Sequence, residues 1–121
     1  MKLVDEIKAA LEPEVRTSSD ANEYFEAVFM VKDLEKLNTI LEKEFGKPLK
    51  PPAKNVKFTK EVQNVVDLIG GLRREQSFYA KNETESKYFY AALWPWQSDP
   101  SKITLKMGLY DINKLTEKKD G

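Results

Sequence analysis

The chain has 121 residues, enough for one sizeable core and too few for two independent ones. Hydrophobic residues make up 40% and charged residues 33%, with twenty basic side chains balancing twenty acidic ones, which excludes a disordered polyelectrolyte and gives no long-range field to gather nucleic acid or an anionic membrane. Cysteine and histidine are both absent, so disulfides, thiolate and imidazole catalysis and the usual zinc ligands are excluded together.

No cofactor motif is present, and a hard-cation site would have to be built from carboxylates alone. The N-terminus reads Met-Lys-Leu-Val-Asp-Glu, with acids where an export signal needs its apolar stretch. The most apolar run, Phe89 to Trp96, is far short of the ~18 residues that span a bilayer. The expectation is a cytoplasmic protein with no membrane contact.

From Lys2 to Glu12 the residues Leu3, Val4, Ile7, Ala10 and Leu11 recur at helical spacing, and Pro13 ends the pattern. Residues 13–22 are small and polar and read as a loop. Tyr24 to Val31 is aromatic and β-branched and reads as a strand. Asp33 then offers an N-cap for a helix with a stripe of Leu34, Leu37, Leu41 and Phe45, stopped by Gly46 and Pro48. Thr59 caps a second helix from about Lys60 to Leu68, which buries Val62, Val65, Val66 and Ile69 and ends at Gly70-Gly71.

Three strand-like segments follow: Gln76 to Lys81, Lys87 to Trp94 and Lys102 to Tyr110, separated by Asn-Glu-Thr-Glu-Ser and Gln-Ser-Asp-Pro turns. The tail from Glu117 to Gly121 reads as frayed. The element order is αβααβββ, an α+β fold with a mainly antiparallel four-stranded sheet and helices packed on one face. The core expected from this reading unites Phe29, Leu37, Val65, Phe89 and Leu105.

Alternate residues of a strand point to opposite faces, so the aromatics can be sorted by parity. If Phe25, Phe29, Phe78, Phe89 and the row Ile103, Leu105, Met107 and Leu109 face the core, then all five tyrosines, Tyr24, Tyr79, Tyr88, Tyr90 and Tyr110, fall opposite. Trp94 shares that parity, as do Glu26, Lys81, Lys102, Thr104 and Lys106. A tyrosine has an apolar ring and a polar tip, which suits a half-wet binding surface. Structural cover of this face is the competing reading, and a bulge, for which Gly108 is the candidate, would reverse the parity locally.

Trp94-Pro95-Trp96 ends the middle strand of the three, where proline cannot donate to a ladder, and exposed indoles serve interfaces well. Lys47, Lys50, Lys54, Lys57 and Lys60 lie in an acid-free stretch stiffened by Pro48, Pro51 and Pro52, which reads as a solvated linker before it reads as a patch. Gly70-Gly71 before Arg73 and Arg74 lacks the spacing of a phosphate loop and reads as a helix end. The segment Lys87 to Leu93 lacks the RNA-stacking motif of sheet-face binders, so nucleic acid is unlikely as a partner.

Three functions stand. The first is a non-catalytic module that associates with itself or with a protein partner through the tyrosine face and the edge from Trp94 to Trp96. The second is a small-molecule-binding domain with a pocket over the same face and Lys102, Lys106 or Arg73 meeting an anionic group. The third is an enzyme using Glu26 beside Tyr24 and Lys106 as acid or base. A flat face favours the first, and a concave one the second.

Overall fold

Leu3, Val4 and Ile7 lie on one side of α1 (Lys2–Leu11) and are buried, as their spacing predicts. The computed structural model describes residues 2–19, 24–54, 56–84 and 87–111, with Lys2 and Ser19 described in their backbone only. The tail expected to fray lies outside the described residues. After α1 come β1 (Glu14–Ser19), β2 (Tyr24–Met30), a 3-10 turn at Val31–Asp33, α2 (Leu34–Phe45), α3 (Lys60–Leu68), β3 (Ser77–Thr84), β4 (Lys87–Pro95) and β5 (Lys102–Asp111). The strands form one antiparallel sheet in the order β1-β2-β5-β4-β3.

The α+β class and the β3-β4-β5 meander agree with the sequence, but the sheet has five strands where four were expected. The additional strand, β1, lies in the segment read as a loop. Its described side chains are exposed, so it carries no apolar alternation; ladder bonds to β2 define it, with a register shift between Val15 and Thr17. The first predicted strand, β2, sits between β1 and β5.

The helices do not share one face. On the first face α1 and α2 cover a core of Phe25, Phe29, Phe89, Leu105 and Met107, with Leu37 and Leu41 supplied by α2. On the second face α3 lays Val62, Val65 and Val66 over Phe78, Ala80, Tyr90 and Ala92. Val65 therefore belongs to a different layer from Phe29, Leu37, Phe89 and Leu105, and the expected single core divides into two clusters separated by the sheet. The caps explain where α3 starts and stops: Thr59 accepts the Val62 amide at 3.3 Å, and Gly70, at φ 96°, turns the chain so that the Gly71 amide reaches the Val66 carbonyl at 2.9 Å. Asp33 stands at the N-cap of α2 without a side-chain capping bond.

The two-sided cover also explains a reversed strand phase. Tyr79 pairs with Ala91 and Lys81 with Phe89, so Tyr79 and Lys81 share the first face with Phe89, and Phe78 lies on the second with Tyr90. From Ser77 to Ala80 every residue of β3 is buried, which leaves no alternation from which to read a phase. Gly108 pairs in regular register with both Tyr24 and Tyr90, so the suspected bulge is not there; the irregularity falls between Asn82 and Thr84.

Candidate functional site

The second sheet face is covered by α3 over β3 and β4, and at the Trp94 end of β4 it opens into a cleft of about 520 Å³. Its floor is set by cross-strand register: Glu26 of β2 stands opposite Lys106 of β5, and Thr104 of β5 opposite Trp94 of β4. One wall is Pro95 to Ser98, where the chain leaves β4, and the other is Arg73 and Gln76 from the loop between α3 and β3. Pro95 still pairs with Ile103 of β5 there, and the Trp96 amide donates to the Lys102 carbonyl at 3.1 Å as the last cross-strand bond before the chain leaves the sheet.

Both indoles are positioned by β5. Trp96 donates Nε1–H to Thr104 Oγ1 at 2.7 Å, and the Lys102 ammonium sits 5.1 Å from its ring centre. The Lys106 ammonium lies 4.0 Å from the centre of the Trp94 ring, a close cation–π pair. Trp94 Nε1–H is buried and has no acceptor among the described residues. Such a donor is costly to leave unpaired, and among the described residues it is the buried side-chain polar atom without a partner.

The charges on the cleft are uneven. Among the described residues neither Arg73 nor Lys106 forms an ion pair, and Glu26 is the sole carboxylate of the lining. Glu26 Oε1 already accepts the Tyr24 hydroxyl at 2.8 Å. Burial, reinforced by that carboxylate, pushes the Tyr24 phenol well above its ordinary pKa. Lys102 does not line the cleft and pairs with Asp99 at 3.8 Å, whose carboxyl is held below the usual range by hydrogen bonds from Ser101.

Arg73 is presented by a turn fastened from behind. Its amide donates to Gln76 Oε1 at 2.7 Å, and the Gln76 amide returns a bond to the Arg73 carbonyl at 3.1 Å. The Lys50 ammonium donates to the carbonyls of Gln76 at 2.6 Å and Arg74 at 2.8 Å, with Pro51 more distant at 3.4 Å. The Lys50 backbone also bridges to Phe78 on the edge of β3. Lys50 is thus a buried strut, whereas the sequence placed it in a solvated basic linker; burial lowers its pKa.

The remaining residues of the predicted tyrosine face separate. Tyr90 is 1% exposed beneath α3, its ring stacked on Tyr110 at 5.0 Å, and burial followed by the neighbouring Tyr110 drives its pKa far up. Tyr88 is half-buried at the margin of the same cluster. Tyr79 is on the opposite face, where its hydroxyl donates to Asn38 Oδ1 at 2.7 Å and burial raises its pKa to about 12. Of the residues picked from sequence, Glu26, Arg73, Trp94, Trp96 and Lys106 come together in the cleft, and Tyr24 is hydrogen-bonded to Glu26. Gln76, Gln97 and Ser98 were missed, since a lone amide or hydroxyl beside a strand carries no sequence signal.

No described helix is long and apolar enough to cross a membrane, and among the described residues no cluster of acidic side chains is placed to hold a metal ion. Compared with known proteins, the chain matches no family model, no curated protein and no solved structure. The functional reading rests on the geometry of the cleft.

Proposed function

We propose that this chain is a ligand-binding domain whose site is the cleft between the Trp94–Trp96 bend and the Arg73–Gln76 turn. The observation that carries the reading is the set of groups gathered round one open depression of about 520 Å³: two indoles, two cations without an ion pair and a buried indole N–H without an acceptor among the described residues. Pockets for small organic ligands typically span ~300–1,000 Å³ and combine an apolar wall with a few placed polar groups. Association with a protein through a flat tyrosine face has less support, because α3 lies over Tyr90 and Tyr79 points to the other layer. Acid–base catalysis by Glu26 beside Tyr24 and Lys106 has less support, because one Glu26 oxygen is already occupied by the Tyr24 hydroxyl.

The chain has two tryptophans and both line the cleft, so intrinsic indole emission reports this site without background from elsewhere. A metabolite library screened by emission and by thermal midpoint should contain compounds that change both together, since a ligand bound to the folded state alone raises the midpoint. A library that moves neither signal overturns the reading.

A further inference from the structure

We infer that the ligand of this cleft is a small aromatic oxyanion, a planar ring carrying a carboxylate or phosphate. This rests on the reading of the cleft as a ligand site and adds the chemistry of the occupant. The Lys106 ammonium is held 4.0 Å from the Trp94 ring centre, so a cation and a flat apolar wall lie within one ring's length of each other. A ligand with its ring against an indole has its charged substituent beside that ammonium. Arg73, on the lining of the same cleft and without an ion pair among the described residues, offers a planar fork suited to two oxygens of the same group.

The cleft disfavours the other charge types. A cationic ligand meets Arg73 and Lys106 against one carboxylate, Glu26, one of whose oxygens is already taken by Tyr24. A neutral aromatic fills the apolar wall and leaves both cations unanswered. An oxyanion answers them both.

The test is an NMR titration of the full chain with 2-naphthoate, 2-naphthyl phosphate, neutral 2-naphthamide and acetate, read at the two indole N–H signals. Either naphthyl anion should bind about tenfold or more tighter than 2-naphthamide and acetate, the preferred head group distinguishing carboxylate from phosphate. Arg73→Gln and Lys106→Gln should each weaken the anion about tenfold with little change for 2-naphthamide and with amide dispersion intact, which separates lost charge from lost fold. Equal affinity for amide and anion, or equal losses for both in the variants, overturns the inference and leaves the cleft a ligand site. No shift by any naphthyl compound also overturns it. Only an inert metabolite library removes the cleft reading itself.

Discussion

The Lys50 ammonium lies 2.6 Å from the Gln76 carbonyl and the residue is 4% exposed, although Lys50 and Gln76 stand 26 positions apart. That contact ties the segment before α3 to the turn that presents Arg73 to the cleft. Lys50→Met keeps an unbranched apolar stem and removes the donor, leaving the carbonyls of Arg74 and Gln76 without it. Two effects compete: the lost bonds destabilise, and the relief of a desolvated charge stabilises. Because the ammonium sits within 2.8 Å of both carbonyls, the lost bonds should win, for a net loss of ~1–3 kcal/mol. Denaturant titration should show a lower midpoint with an unchanged slope. A more stable variant would mean that burying the charge outweighs its bonds.

The layering predicts how core mutations combine. Phe89, 4.8 Å from Phe45 in ring-centre distance, belongs to the first layer, and Val65 to the second. Phe89→Ala should cost ~3–5 kcal/mol and Val65→Ala roughly 2 kcal/mol. Since the sheet separates them, the double variant should equal the sum of the two within ~0.5 kcal/mol. Coupling well beyond that would place the two residues in one cluster. A loss below about 1 kcal/mol for Phe89→Ala would contradict the strand phase of β4.

The buried phenols set the response to alkali. The pKa values of Tyr24, Tyr79 and Tyr90 are raised from 10.0, chiefly by burial in each case, with Tyr79 at about 12. Above pH ~10 an unfolded chain releases these protons while the folded one keeps them, so the unfolded state binds fewer protons and stability falls as pH rises. Lys50 acts with the opposite sign. Its lowered pKa means that the unfolded chain binds more protons between the folded value and 10.5, so its term rises with pH there. Three phenols outweigh one ammonium, and the denaturant midpoint should drop between about pH 9 and about pH 11 as phenolate absorbance appears with unfolding. Phenolate absorbance from all five tyrosines near pH ~10 without unfolding would contradict the burial of these rings.

How much of this was legible in the sequence depends on whether a residue's environment leaves a pattern. The stripes of α1, α2 and α3 and the stop signals Pro13, Gly46 and Gly70-Gly71 were legible, because each element buries one side only. The parity of β2, β4 and β5 was legible too, and it brought Trp94 and Lys106 to one face. β1 was not, because an edge strand with exposed side chains has no apolar period and depends on its ladder to β2. The phase of β3 was lost because α2 and α3 cover both of its faces, so Phe78 and Tyr79 are equally buried. Lys50 was read as one of five similar lysines, since its partners are backbone carbonyls, which a sequence does not distinguish. The cleft arises where β2, β5, the end of β4 and the loop between α3 and β3 meet, and no one segment contains it.

The central claim is that the space between Trp94, Trp96, Arg73 and Lys106 is the ligand site. Amide and indole shift mapping with the tightest compound from the metabolite screen tests it most directly. The account predicts that the largest changes fall on Trp94, Trp96, Gln97, Arg73 and Lys106, with both indole N–H signals moving at one common affinity. Changes centred instead on Val56, Phe58 and Gln63, which line a smaller cavity of about 340 Å³ beside Lys50 and α3, with the indole signals unmoved, would contradict it.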